Sequence, residues 1–183
     1  MTRYAPPEFL RITCRADLTP ERRGEIVDCW TRVVNGGGAV IAAAFPTPPV
    51  DDGHVAPAVD ELLGGLAPEH DRLLVATVGG TLAGWLIVRR ERHPLAAHCG
   101  VVNHVQTHPG FRGRGIGAAL MNRAALLARR ELGLERLKLA VRGGVGLEDF
   151  YRGLGWVEVG RFPAVLRVAP GDDRDEILMT LPL

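Results

Sequence analysis

At 183 residues the chain is long enough for one well-buried domain and short for two. Its 46% hydrophobic and 23% charged residues match an ordinary soluble globular protein. A net charge of +1 gives no reason to expect nucleic acid or an anionic membrane as partner. Cys14, Cys29 and Cys99 are odd in number and widely spaced, without a Cys-x-x-Cys pair. They read as reduced, mostly buried thiols, which excludes a disulfide frame and a cysteine metal site; no metal is expected. The amino terminus lacks an apolar signal core and no run of about 18 apolar residues occurs, so a cytoplasmic location is expected.

In chain order, Phe9 to Cys14 alternates apolar and polar residues as a first strand. Thr19-Pro20-Glu21 supplies a cap, a proline for the first helical position and an acid for the first turn. Ile26, Trp30, Val33 and Val34 then form one helical stripe, ended by Gly36-Gly37-Gly38. Residues 39–57, with an apolar stretch from Ala39 to Phe45 and then Pro46, Pro48, Pro49 and Pro57, read as a long loop. A short helix is expected from Val59 to Leu66. Arg72 to Val78 and Leu82 to Arg89 flank Gly79-Gly80 as a hairpin. Gly100 to Thr107 is the next strand, followed by a glycine motif and a helix from Ile116 to Leu132 that stops at Gly133. Arg136 to Val141 is a short strand. Leu147, Phe150, Tyr151 and Leu154 mark one face of a helix closed by Gly155. Trp156 to Arg161 and Glu176 to Leu181 are two final strands. The order is β-α-α-β-β-β-α-β-α-β-β, with no repeat and no linker, so residues 1–183 are expected to form one domain.

The most informative stretch is Pro109-Gly-Phe-Arg-Gly-Arg-Gly-Ile-Gly-Ala118. Gly113, Gly115 and Gly117 strip the backbone of side chains just where a helix opens, and Arg112 and Arg114 are interleaved with them. Such a start presents unpaired N–H groups at the positive end of the helix dipole, a seat for phosphate. Between Arg92 and Arg130 there is no Asp or Glu, yet there are six Arg and four of the six His. This stretch is tuned for an anion while the whole chain stays near neutral. The spacing Gly113-x-Gly115-x-x-Ala118 also fits a dinucleotide fingerprint. That fingerprint wants an acid at the end of the following strand, where this chain has Val141 and then Arg142. A Walker loop is excluded because no Lys-Ser or Lys-Thr closes the motif.

The element order and the run Val105-Gln106-Thr107-His108-Pro109-Gly110-Phe111-Arg112-Gly113-Arg114-Gly115-Ile116-Gly117 resemble the GNAT superfamily of acetyl-CoA-dependent N-acetyltransferases, with Thr107 in place of the usual Val. A second signature of that family matches Phe150-Tyr151-Arg152-Gly153-Leu154-Gly155-Trp156. The segment from Trp156 to Pro163 and the helix ending at Gly36 are similar, more narrowly, to tabtoxin-resistance-type acetyltransferases. The resemblance implies an α+β fold with a central mixed, mostly antiparallel twisted sheet of about seven strands and four flanking helices. It implies acetyl-CoA as cofactor, lying where two parallel strands splay, with its pyrophosphate on the N–H groups of residues 112–117. Contacts would come from Arg112, Gly113, Arg114, Gly115, Ile116, Gly117 and Ala118, and the pantetheine amides would pair with the backbone of Val105, Gln106 and Thr107. An N–H of the same strand would stabilise the charge that develops on the thioester oxygen.

Two proton tasks follow from amine attack on a thioester: the acceptor ammonium loses a proton and the departing thiolate gains one. Tyr151 stands where the family keeps its usual general acid, and a phenol titrating near about 10 is protonated at neutral pH. A core role on its helix face would ask for the same aromatic. The family often places a Glu base on the strand before the motif, and this chain has none there. His104 is the natural candidate, since imidazole titrates near about 6.5; Asn103 and Gln106 ordering a relay water are the alternative.

The acceptor is expected to be a primary amine on a small molecule. In the family the first helix, the loop after it and the final hairpin border the amine side. Here that loop carries Asp51, Asp52 and His54, followed by Asp60 and Glu61, and carboxylates attract a protonated amine. Asp51, Asp52 and Asn103 are therefore the expected substrate contacts, with Trp30 and Phe45 as an apolar wall unless Trp30 belongs to the core. Acetylation of a protein amine and a silent acyl-CoA-binding module are the competing functions, and either a monomer or a homodimer is compatible with the sequence.

Overall fold

Thr19 accepts a hydrogen bond from the Arg22 N–H, and Pro20 takes the first helical position. The first helix, α1, accordingly runs Pro20–Asn35 and ends at Gly36. These coordinates come from a computed structural model that describes residues 5–38 and 46–183. The apolar stretch from Ala39 to Phe45, with the wall expected from Phe45, lies outside the described residues.

Among the described residues the strands are β1 (Glu8–Ile12), β2 (Asp71–Val78), β3 (Thr81–Arg90), β4 (Cys99–Thr107), β5 (Arg136–Arg142), β6 (Val157–Ala169) and β7 (Asp172–Pro182). The helices are α1, α2 (Asp52–Gly64), α3 (Ile116–Glu131) and α4 (Leu147–Arg152). The strands hydrogen-bond in the order β1-β2-β3-β4-β5-β7-β6, and β4 runs parallel to β5 while β1-β2, β2-β3, β5-β7 and β7-β6 are antiparallel. This is the mixed, mostly antiparallel sheet with four helices that the motifs implied. The chain divides into two compact units, Met1–Arg89 with Asn103–Ala124, and Arg90–Val102 with Ala125–Leu183.

In the first unit, Gly79 and Gly80 both take positive φ (58 and 81°), as a tight hairpin between β2 and β3 requires. One face of β2 and β3, with Leu73, Val75, Trp85 and Ile87, buries against Ile26, Trp30 and Val34 of α1 and Val59 and Leu63 of α2. Arg23 grips Asp60 with two hydrogen bonds of 2.8 and 2.7 Å and joins the two helices. α2 begins seven residues before the expected Val59 and contains Pro57. The loop reading overlooked a cap: Asp51 accepts from the His54 N–H at 3.0 Å, and the apolar face of Val55, Ala58, Val59, Leu62 and Leu63 is buried. Capping and burial outweigh the one backbone bond that Pro57 forfeits.

The second unit holds the end of α3, β5, α4 and the β6–β7 hairpin. That hairpin is longer at both strands than the expected Trp156 to Arg161 and Glu176 to Leu181. Cross-strand ion pairs extend it: Arg161 to Asp175 at 2.8 Å and Arg167 to Asp173 at 2.7 Å. These charges masked the strand pattern, yet facing opposite charges support a ladder. β6, the outermost strand, breaks register between Phe162 and Leu166. There Pro163 has no N–H to give, and Ala164 takes a φ of 53° and donates its N–H to the Asp175 carboxylate. All three cysteines are free; only Cys29 is buried, and Cys14 and Cys99 are partly exposed. Burial pushes the Cys29 thiol up to about 12.

Candidate active site

β4 leads into the glycine motif through one turn of 3-10 helix, Pro109–Phe111. His108 caps it: its backbone N–H donates to Ala83 O at 2.9 Å, and its Nδ1 accepts from the Gly110 N–H at 3.1 Å. The chain then passes Gly113 and Gly115, both left-handed (φ 75 and 76°). Gly115 O accepts the first bond of α3, from Ala119 N at 3.0 Å. The N–H groups of Ile116, Gly117 and Ala118 therefore precede the helical ladder and have no intrahelical partner. A side chain built at Gly113 or Gly115 would meet no atom within 4 Å. Bare, unobstructed backbone therefore stands at the positive end of a 16-residue helix, flanked by exposed Arg112 and Arg114. The Arg114 guanidinium carbon sits 5.2 Å from the centre of the Phe111 ring.

One residue of this architecture escaped the sequence reading. A Cβ at Gly84 of β3 would stand 2.5 Å from Gln106 O, 3.1 Å from Leu120 Cδ1 and 3.3 Å from Ile116 Cγ2. Only glycine lets β3 approach β4 and the first turn of α3 so closely. An isolated glycine inside a strand pattern was the available signal.

Along β4, Val105 and Thr107 are half-buried and Gln106 is 5% exposed, its Oε1 buried with no hydrogen-bond partner. Asn103 is half-buried. His104 adopts a φ of 55°, a left-handed conformation unusual for a side chain inside a strand. Its ring stacks on Trp85 (5.4 Å, 16°) and meets the edge of Trp30 (4.9 Å, 75°). Trp30 is a core residue, 1% exposed, and not a wall of a pocket. Burial, reinforced by the Arg89 charge, lowers the His104 imidazole from 6.5 to about 4. Titration near neutrality, expected from the isolated side chain, is corrected accordingly: this imidazole is neutral through the working range.

That shift has a measurable consequence for stability. As pH falls below 6.5 the unfolded chain takes up a proton that the folded chain refuses until about 4. His104 thus stabilises the fold above pH 6.5, and that contribution, at most about 3 kcal/mol, is lost as pH falls through this window. Urea unfolding at pH 7 and pH 4.5 should show a stability loss that shrinks in His104→Gln; an equal loss in both proteins would exclude His104 as its source.

The acids expected near the acceptor start α2. The Asp51 carboxylate caps that helix and lies 2.6 Å from His54 Nδ1, yet its side chain is 74% exposed. Hydrogen bonds from His54 hold it below the usual carboxylate range, so it is ionised. Asp52 accepts from Thr31 Oγ1 at 2.8 Å. Asn35 pairs with the backbone of Val50 through both ends of its amide, at 2.8 and 2.9 Å. Arg112 Nη1 lies 4.0 Å from where a Gly36 side chain would begin. The glycine cradle and the Asp51–Asp52 pair therefore flank the same C-terminal end of α1.

In the second unit, α4 opens at left-handed Gly146 (φ 78°) and carries Tyr151, 5% exposed. Its ring meets the edges of Phe150 at 5.0 Å and Trp156 at 6.0 Å. The Trp156 N–H returns to Tyr151 O at 3.1 Å through left-handed Gly155. Burial pushes the phenol up to about 12, so it carries its proton at every working pH. Tyr151 is thus a packed residue of its helix face.

β4, the glycine turn and α3 thus form a strand-turn-helix whose backbone is bare of side chains at Gly113 and Gly115, and the strands pair in one mixed seven-stranded order. Residues 40–156 match the Acetyltransferase (GNAT) family, and the chain belongs to that family. It is an acetyltransferase, and acetyl-CoA is its cosubstrate. No curated protein matches the sequence. Among solved structures, the yncA acetyltransferase of Salmonella typhimurium, determined with acetyl-CoA, is 19% identical with a TM-score of 0.70, covering 98% of this chain and 95% of its own. A structure with a provisional phosphinothricin N-acetyltransferase assignment is 21% identical with a TM-score of 0.75, covering 96% and 99%. Ribosomal-protein-alanine N-acetyltransferase from Brucella melitensis is 18% identical with a TM-score of 0.70, covering 95% and 99%. At these identities the likeness establishes the fold. No helix among the described residues is long and apolar enough to cross a membrane.

Proposed function

We propose that the protein transfers the acetyl group of acetyl-CoA to a primary amine of a small cationic or zwitterionic molecule, by direct attack within a ternary complex. The observation that carries this reading is the pair of carboxylates, Asp51 and Asp52, beside the end of α1 that also borders the cradle. Carboxylates there raise the local concentration of a protonated amine. Acetyl-CoA supplies the thioester whose carbonyl the amine attacks. The backbone of residues 112–118 and the two arginines bind its diphosphate, and backbone groups of Val105, Gln106 and Thr107 orient the pantetheine arm. Tyr151 holds the proton that the leaving sulfur needs. His104 is the proposed base; titrating at about 4, it would place any acid limb of the rate profile well below neutrality. Asn103 and Gln106, whose Oε1 lacks a partner, are the route for a relay water instead. The same reading treats residues 1–183 as one cytoplasmic acetyltransferase domain, acting as a monomer or homodimer.

Replacing Asp51 and Asp52 together by Asn keeps a capping side chain at 51 and removes both charges. The KM for a cationic amine should rise severalfold while the Kd for acetyl-CoA stays put. An unaltered KM would assign these acids to capping alone. The substrate class itself is tested by following acetyl-CoA consumption against amines, amino acids, aminoglycosides and dipeptide-like toxins, with peptide amines alongside. Turnover confined to the peptides would overturn the small-molecule reading. Binding of acetyl-CoA without turnover on any amine would favour the silent module.

A further inference from the structure

We infer that Asp28, on α1, is a positioning residue for the phosphate cradle and acts through His108. The Asp28 carboxylate is gripped by the Arg32 Nε–H, one turn along the same helix, at 2.7 and 2.9 Å to its two oxygens. With its rotamer fixed in this way, Oδ2 lies 3.4 Å from His108 Nε2. The opposite nitrogen of that ring, Nδ1, accepts the Gly110 N–H and so must be bare. In the neutral imidazole the proton then resides on Nε2 and faces the carboxylate. Asp28 thereby selects the tautomer that caps the turn Pro109–Phe111.

Two ring contacts carry this constraint onward. The His108 ring meets the edge of Phe111 at 5.8 Å, and the Arg114 guanidinium lies over the other end of that series, 5.2 Å from the Phe111 centroid. Arg112 independently reaches the C-terminal end of α1 at Gly36. Helix α1 therefore neighbours the loop at mid-helix and at its end. The inference rests on the reading that residues 112–117 hold the diphosphate of coenzyme A.

The test is calorimetric binding of coenzyme A to the full chain. Asp28→Ala removes the carboxylate; His108→Asn keeps an oxygen able to cap Gly110 but cannot reach Asp28. Each should weaken coenzyme A binding about tenfold. The double variant should bind no more weakly than the weaker single, because both changes break one linkage. Asp28→Asn, which keeps an oxygen beside Nε2, should restore most of the affinity, and the melting temperature of the unliganded Asp28→Ala protein should stay near that of the wild type. Wild-type affinity in Asp28→Ala, losses that multiply in the double variant, or no rescue by Asp28→Asn would overturn the inference and leave the cradle reading intact. Failure of the unaltered protein to bind coenzyme A would overturn both.

Discussion

Replacing Tyr151 by Phe should lower kcat by roughly 10²- to 10⁴-fold if it is the proposed proton donor, the range for loss of a positioned general acid or base. The substitution isolates the hydroxyl, because the Phe ring can keep the edge contacts that Tyr151 makes with Phe150 and Trp156. A phenol held at about 12 is protonated at every practical pH, so it is always ready to donate and imposes no basic limb in the working range. Coenzyme A affinity should stay within about twofold, since a group used only as the sulfur departs contributes to the transition state and not to ground-state binding. Steady-state rates with an accepted amine, paired with calorimetric Kd values, check this. An undiminished kcat would leave Tyr151 as a packing residue.

Gly115→Val should raise the Kd for acetyl-CoA by more than about tenfold. Two effects act together. The φ of 76° at this position disfavours any side chain by about 1–2 kcal/mol, and a β-branched one more. On the proposed reading the new methyl groups would also crowd bare backbone that a diphosphate approaches. Its chain neighbours apart, no described atom lies within 4 Å of the added Cβ, so the cost to the fold is the backbone strain at this position. Far-ultraviolet circular dichroism should be unchanged while calorimetry shows the loss. Wild-type affinity in this variant would remove the cradle from residues 112–118.

The elements that position the cradle were legible because their signals are local. Thr19-Pro20, Gly79-Gly80 and the run from Gly113 to Gly117 each state a backbone conformation within a few residues. What the chain hid depends on distant partners. His104 looks like an ordinary imidazole until Trp30, from α1, and Trp85, from β3, close around it. The need for glycine at position 84 appears only when Gln106 and Ile116 arrive beside it. The start of α2 was misread for a different reason: Pro57 and its neighbouring prolines outweighed the cap at Asp51, a weaker signal that burial reinforces. The extended hairpin was missed because its charges read as a loop when taken one strand at a time. The two compositionally clear signatures lie in different units, the cradle in one and Tyr151 in the other.

β6 leaves Val157, Val159, Phe162, Val165 and Val168 facing water on the outermost strand, a composition that in a straight, unbroken strand would recruit further chains edge to edge. Pro163 withholds a donor, and the left-handed Ala164 turns its own N–H back into the molecule, onto Asp175. The free rim is thereby cut into two short pieces that cannot act as one continuous template. Arg161 and Arg167, one on each side of the break, add charge where an incoming strand would dock. The irregularity of β6 therefore interrupts the edge at which a further strand would pair, as bulges and prolines do on other outermost strands.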